Sequence, residues 1–197
     1  MENHSLLMTQ LAPIDQLFNE FPEFETERLI LRAIEPEDAE AIFAIFNDVE
    51  VTRYYDLYTF ATTAEAAELI DYMGEAYETE RQIRWGIAGK EDNKLIGTLG
   101  FVWLREHRAE IGYDLARAHW GQGIMHEALN ALLELAFDDL ALNRLEALVV
   151  PDNTRSIALL SRLGFHHEGT LREYDYFKDK FQDLEMHALL HRDWIDD

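Results

Sequence analysis

The 197-residue sequence contains no cysteine. That absence excludes disulfides, thiolate metal sites and any acyl-cysteine intermediate, and it fits a reducing compartment. Basic residues are also scarce: 17 Lys and Arg stand against 39 Asp and Glu, a formal charge of -22. A field of that sign disfavours non-specific attraction to nucleic acid or anionic lipid; it suits a cationic substrate, and it serves solubility equally well. No apolar run reaches the roughly 20 residues of a membrane-crossing helix. Met1 to Leu11 lacks the basic start and apolar stretch of a signal peptide, so a cytoplasmic location with no membrane partner is expected.

What the chain does have is apolar material. Hydrophobic residues make up 48% and aromatics 12%, enough for one domain to bury a core around a sheet. Residues 1–25 show no clear period and read as a short helical or loose extension, with the domain running over 26–197. Arg28 to Ile34 is a strand-like run that stops before Pro36. Pro36, Glu37 and Asp38 open a helix carrying Ala41, Ile42, Ile45 and Phe46 at helical spacing. A threonine cap at Thr62 or Thr63, with Glu65 behind it, opens a second through Met73. Between the two lies an aromatic loop, Tyr54 to Tyr58.

From Ile83 the pattern turns to strands. Ile83 to Ala88 and Leu95 to Leu104 form a hairpin about a polar turn, and Ala109 to Leu115 follows as a third strand. A long amphipathic helix spans Gly123 to Asp138, then the apolar strand Leu145 to Val150 ends at Pro151. A helix from Thr154 to Leu163 stops at Gly164. Two closing strands, Phe165 to Leu171 and Asp183 to Leu190, complete an α/β (α+β) domain with a mixed sheet.

The segment Trp120-Gly121-Gln122-Gly123-Ile124-Met125-His126 joins a strand to the long helix. Glycines there let backbone approach a ligand, and the free N–H groups of a helix start form an anion site suited to a pyrophosphate. A lone Gly-x-Gly serves a plain tight turn just as well. A P-loop is excluded because no Gly-Lys-Ser or Gly-Lys-Thr occurs, and a dinucleotide fingerprint lacks its third glycine and following acid. His126-Glu127 has no second histidine at zincin spacing, and His187 with His191 lacks a third ligand, so no metal is expected.

Four blocks together carry a resemblance: Thr26-Glu27-Arg28-Leu29-Ile30-Leu31-Arg32, Glu110-Ile111-Gly112-Tyr113, Trp120 to Leu129, and Asn153-x-x-Ser156 with Leu163-Gly164-Phe165 and Glu168-Gly169. In this order they resemble the RimJ/RimL branch of the GNAT N-acetyltransferases, over nearly the whole chain beyond residue 25. The resemblance implies the GNAT acyl-CoA N-acyltransferase fold, a mostly antiparallel sheet of about seven strands with splayed central strands and four helices. It implies acetyl-CoA as co-substrate, bound by the backbone amides of Gln122, Gly123, Ile124, Met125 and His126, with Tyr113, Leu115, Asn153 and Ser156 along the pantetheine arm.

Direct transfer needs an uncharged amine, and an alkylamine with a pKa of about 10 needs a base. The resemblance offers Glu110, on the strand lining the cleft, and Asp175, where a RimL-like enzyme carries an acid. An oxyanion needs an N–H donor, for which Leu115 is chosen. Many superfamily members place a general-acid tyrosine where this chain has Leu160; Ser156 resembles the serine near the sulfur in the RimL-like branch, and it also reads as a helix-start serine. Trp120 and Met125 depart from the wider superfamily, which has Arg or Gln and Gly or Ala there. Local positive charge at the mouth is expected from Arg117, His119, Arg155 and Arg162. The implied acceptor is a protein N-terminal amine, with a small-molecule amine as runner-up and a non-catalytic acyl-CoA-binding module as the rival class. Many relatives are dimers, so the resemblance also points to a homodimer.

Overall fold

The structure, a computed structural model, describes residues 13–195. Its centre is an eight-stranded sheet in the order β1-β2-β3-β4-β5-β6-β8-β7. The strands are β1 Phe24–Glu25, β2 Leu29–Arg32, β3 Ile83–Gly89, β4 Leu95–Arg105, β5 Arg108–Leu115, β6 Arg144–Val149, β7 His166–Phe177 and β8 Lys180–Leu190. The helices are α1 Pro13–Asn19, α2 Ala39–Phe46, α3 Val49–Thr52, α4 Thr63–Glu78, α5 Ile124–Glu134, α6 Thr154–Arg162 and α7 His191–Ile195. All strand pairs are antiparallel except β5 with β6.

Helices cover both faces of the central strands, and that is why β3 is buried along nearly its whole length rather than alternating. On one face, Ile42, Ile45 and Phe46 of α2 and Ala66 and Ile70 of α4 pack with Leu95. On the other, Ile124, Met125, Ala128, Leu129, Leu132 and Leu133 of α5 and Leu160 of α6 pack over Trp85, Leu99, Ile111 and Leu115. Thr62 and Glu65 close a capping box at the start of α4. α5 begins differently, with Gly123 as N-cap in a left-handed conformation and no side-chain cap.

The feature that positions the site is a parting of the sheet. β5 and β6 pair only at Arg108 with Arg144, Ala109 with Leu145 and Glu110 with Glu146. Beyond Glu110, β5 stays with β4 as far as Leu115, and β6 stays with β8 as far as Val149. A gap opens between residues 111–115 and 147–149, directly below the start of α5.

The pattern-based expectation of about seven strands and four helices falls short among the described residues. The added strand, β1, and helix α1 lie within residues 1–25, whose residues 1–12 fall outside the described part. Of the two forms expected for this extension, short helical or loose, residues 13–19 take the helical one as α1, and residues 13–25 pack on the sheet: Leu17 joins the core, and the Trp85 indole donates to Pro22 O at 2.6 Å. α3 and α7 are too short to show a period. The helix expected over Gly123–Asp138 is α-helical to Glu134 and then a π-turn, Leu135–Asp139. β7 and β8 are longer than expected, because their far halves are an exposed edge hairpin without apolar alternation. Its turn uses Lys178 and Asp179 at φ 52° and 61°, so no glycine marks it.

Candidate active site

At the start of α5, Gly121 and Gly123 hold φ of 74° and 75°, a left-handed conformation that glycine adopts without strain. The turn aims a row of amides outward. Among the described residues, the N–H groups of Gln122, Gly123, Ile124, Met125 and His126 have no protein acceptor; the first helical bond is Glu127 N–H to Gly123 O at 3.0 Å. The Ile124 and Met125 side chains are buried in the core, so these residues present backbone only. Gln122 turns its side-chain amide to Ala118 O, and His126 bonds Asn130 one turn on. Unbonded N–H groups and the positive end of the helix dipole make an anion site.

A cation missed in the sequence reading reaches this loop from the residue just before β2. Arg28 donates from Nε to Glu127 at 2.6 Å and from Nη1 to Gln122 O at 3.0 Å, while its Nη2 lies 3.5 Å from where a Cβ on Gly123 would stand. Part burial opposes charge on Glu127, but hydrogen bonds from Thr26 and Arg28 hold its carboxyl below the usual range. Arg155 lies over the Trp120 ring, 4.5 Å from its centroid, and the Trp120 indole donates to Leu115 O. Arg117, expected at the mouth, is paired with Asp48 at 3.1 Å.

Along the gap, the backbone of β5 has free positions of its own. Ala116 N–H bonds Ile96 O, so by the alternation of an antiparallel pair the N–H groups of Gly112 and Asp114 face β4, and those of Tyr113 and Leu115 face the gap. Tyr113 also meets α6: its hydroxyl lies 2.6 Å from Ser156 Oγ. Burial pushes the Tyr113 phenol up to about 12, so it stays protonated at neutral pH. Asn153 caps α6 by accepting from Ser156 N–H, and Leu160, one turn on, is fully buried.

Glu110 projects from the opposite face of β5 to Tyr113, since side chains alternate along a strand. Its carboxylate accepts the Trp103 indole N–H at 2.8 Å. Burial raises its pKa, as does the charge of neighbouring Glu146, while the Trp103 hydrogen bond lowers it; the net direction is up. On the same face lies a polar cluster that the sequence reading also missed. Arg84 donates from Nε to Thr98 at 2.7 Å and from Nη2 to Asp114 at 2.6 Å and to the Tyr55 hydroxyl at 3.0 Å. Its signal was the presence of Arg84, Thr98 and Asp114 inside otherwise apolar strands. Asp175 stands apart, exposed on edge strand β7, with its Oδ1 bonded to the N–H of Tyr176.

The acetyltransferase (GNAT) domain family matches residues 28–166, a span that takes in the parted strands, the amide-lined helix start and α6. The chain belongs to the GNAT acetyltransferases. It is 41% identical over 172 residues to YoaA of Bacillus subtilis, an uncharacterized N-acetyltransferase, covering 86% of this chain and 97% of that protein. The [ribosomal protein uS5]-alanine N-acetyltransferase of Escherichia coli is 31% identical over 125 residues, 62% of this chain and 64% of that one. A GNAT-family acetyltransferase structure from Bacillus anthracis superposes with a TM-score of 0.77 at 25% identity, over 87% of this chain and 99% of that one. The protein is an N-acetyltransferase, and GNAT acetyltransferases use acetyl-CoA.

Proposed function

We propose that this acetyltransferase moves the acetyl group of acetyl-CoA directly to a protein N-terminal amine, with both substrates bound together. The observation that carries the reading is the row of unbonded amides from Gln122 to His126 at the mouth of the parted strands, which fits a diphosphate. The pantetheine arm then runs between β5 and β6, where Tyr113 and Leu115 offer N–H groups, and Asn153 and Ser156 line the α6 side.

Glu110 takes the proton from the acceptor ammonium. Its raised pKa makes it a better base than an ordinary carboxylate. The freed nitrogen attacks the acetyl carbon, the Leu115 N–H stabilises the oxyanion, and the carbon–sulfur bond breaks as the nitrogen gives up its extra proton and the departing sulfur takes one up, leaving the neutral amide and CoA. The Ser156 hydroxyl, held by Tyr113, donates its hydrogen bond to the departing thiolate and so takes the place of a tyrosine at Leu160. Asp175 is the alternative base, acting through water from the hairpin side. A protein acceptor draws support from the uS5-alanine acetyltransferase relative, and from the exposed Tyr58, Tyr174, Tyr176 and Phe181, of which Tyr58 bonds Asp179 at the hairpin turn.

The test is CoA release from acetyl-CoA with short peptides of varied first residue and with small amines. Glu110→Gln is expected to lower kcat on the order of a hundredfold at neutral pH, Ser156→Ala to lower it less, and Asp175→Asn to leave it within a few-fold. Full activity in Glu110→Gln removes the base assignment; activity on small amines alone removes the protein acceptor.

A further inference from the structure

Arg84 is a charged side chain only 7% exposed, near the start of β3, and three of its five N–H donors are used by Thr98, Asp114 and Tyr55. The remaining two, both on Nη1, have no acceptor among the described residues. That nitrogen lies over Gly112: a Cβ added there would stand 3.0 Å from Nη1 and 2.8 Å from Val102 Cγ2. Gly112 is thus bare where any other residue would cover the arginine. Two residues along the same face of β5 is Glu110, about 7 Å away by strand rise. One aminoacyl unit, about 3.8 Å from Cα to Cα, bridges that distance with hydrogen bonds at its ends.

We propose that Arg84 is a specificity-determining residue whose Nη1 binds the carbonyl oxygen next to the acceptor amine, so that the enzyme selects amines bearing a neutral carbonyl on the adjacent carbon. The inference rests on the proposed function and narrows its substrate class to peptide N-termini and α-amino amides. Neutrality follows from the charge balance of the cluster. Asp114, 2% exposed, already compensates Arg84 one to one, so the accessible Nη1 offers a donor without spare positive charge for a carboxylate. The overall charge of -22 disfavours a carboxylate further. A plain alkylamine leaves Nη1 unpaired, which costs binding.

The experiment compares alaninamide, isopropylamine and alanine as acceptors in steady-state CoA release. The first two share a skeleton and differ by the carbonyl. Because they also differ in basicity, the quantity read is the change in their kcat/KM ratio on mutation. One variant is Arg84→Met with Asp114→Asn, which leaves no buried charge unpaired; the other is Gly112→Ala with Val102→Ala, which keeps the ion pair and covers Nη1. Acetyl-CoA binding by calorimetry checks that each variant is folded. The alaninamide to isopropylamine ratio is expected to fall on the order of tenfold to a hundredfold in both variants, chiefly through KM. A ratio unmoved in both variants, or alanine used as well as alaninamide by the wild type, overturns the role of Arg84 while leaving the peptide reading in place. If the wild type acetylates isopropylamine and no peptide or amide, the protein-acceptor reading falls as well.

Discussion

At the scale of single residues, Trp103 sets how basic Glu110 is. The two face each other only because β4 carries a bulge between Phe101 and Trp103, which shifts the register so that Trp103 pairs with Glu110. Glu110 was legible from its motif; its indole partner was not, since a bulge leaves no mark in a run of Phe, Val, Trp and Leu. Trp103→Phe removes the hydrogen bond that lowers the Glu110 pKa and leaves burial and Glu146, both of which raise it. The proposed base works only when deprotonated, so the acid limb of the kcat/KM profile is expected to move to higher pH in Trp103→Phe. Activity falls on the acid side while the plateau at high pH is kept. A limb that stays still or moves down would show that another group, such as Asp175, sets it.

Among the elements, the junction of β5 and α5 was readable and its reinforcement was not. Glycines between an apolar strand and an amphipathic helix announce an uncapped helix start, and Gly123 is that start. Arg28, however, stands just before a strand some hundred positions earlier and passes in sequence for the polar end of TERLILR. Folding brings it beside the amides, held by Glu127 on one side and Gln122 O on the other. Under the proposed function, Arg28, just before β2, is a cation beside the proposed diphosphate site, where the loop itself has Trp120. Arg28→Gln is therefore expected to weaken acetyl-CoA binding on the order of tenfold, consistent with loss of one hydrogen bond to a charged group. The dependence of that affinity on ionic strength should flatten. Calorimetry at two salt concentrations reads both; unchanged affinity with an unchanged salt slope would remove Arg28 from the anion site.

On the scale of the whole molecule, the central strands and the long helices could be read from period and turn residues, because they lie where both faces or one face are buried. The ends could not. Residues 13–25 show no period, since a few of them hold the core by separate contacts: Leu17 inserts at 5% exposure, Phe21 and Phe24 meet the Trp85 ring at 5.7 Å, and Tyr77 of α4 donates to Leu17 O. Such irregular packing is invisible to a pattern search yet as cooperative as a helix face. It makes residues 13–25 a strut for β3, the strand that carries Arg84. Leu17→Ala is expected to cost about 2–4 kcal/mol, as for other buried leucines. For a domain of this size that is a drop in Tm of roughly 4–16 °C, read by thermal denaturation. Because α1 supplies no residue of the parted strands or of the amide row, kcat/KM well below the transition should stay near the wild-type value. A Tm within 2 °C of wild type would mean that the segment is dispensable to the core; a large loss of rate without loss of Tm would mean that it acts on the site through β3.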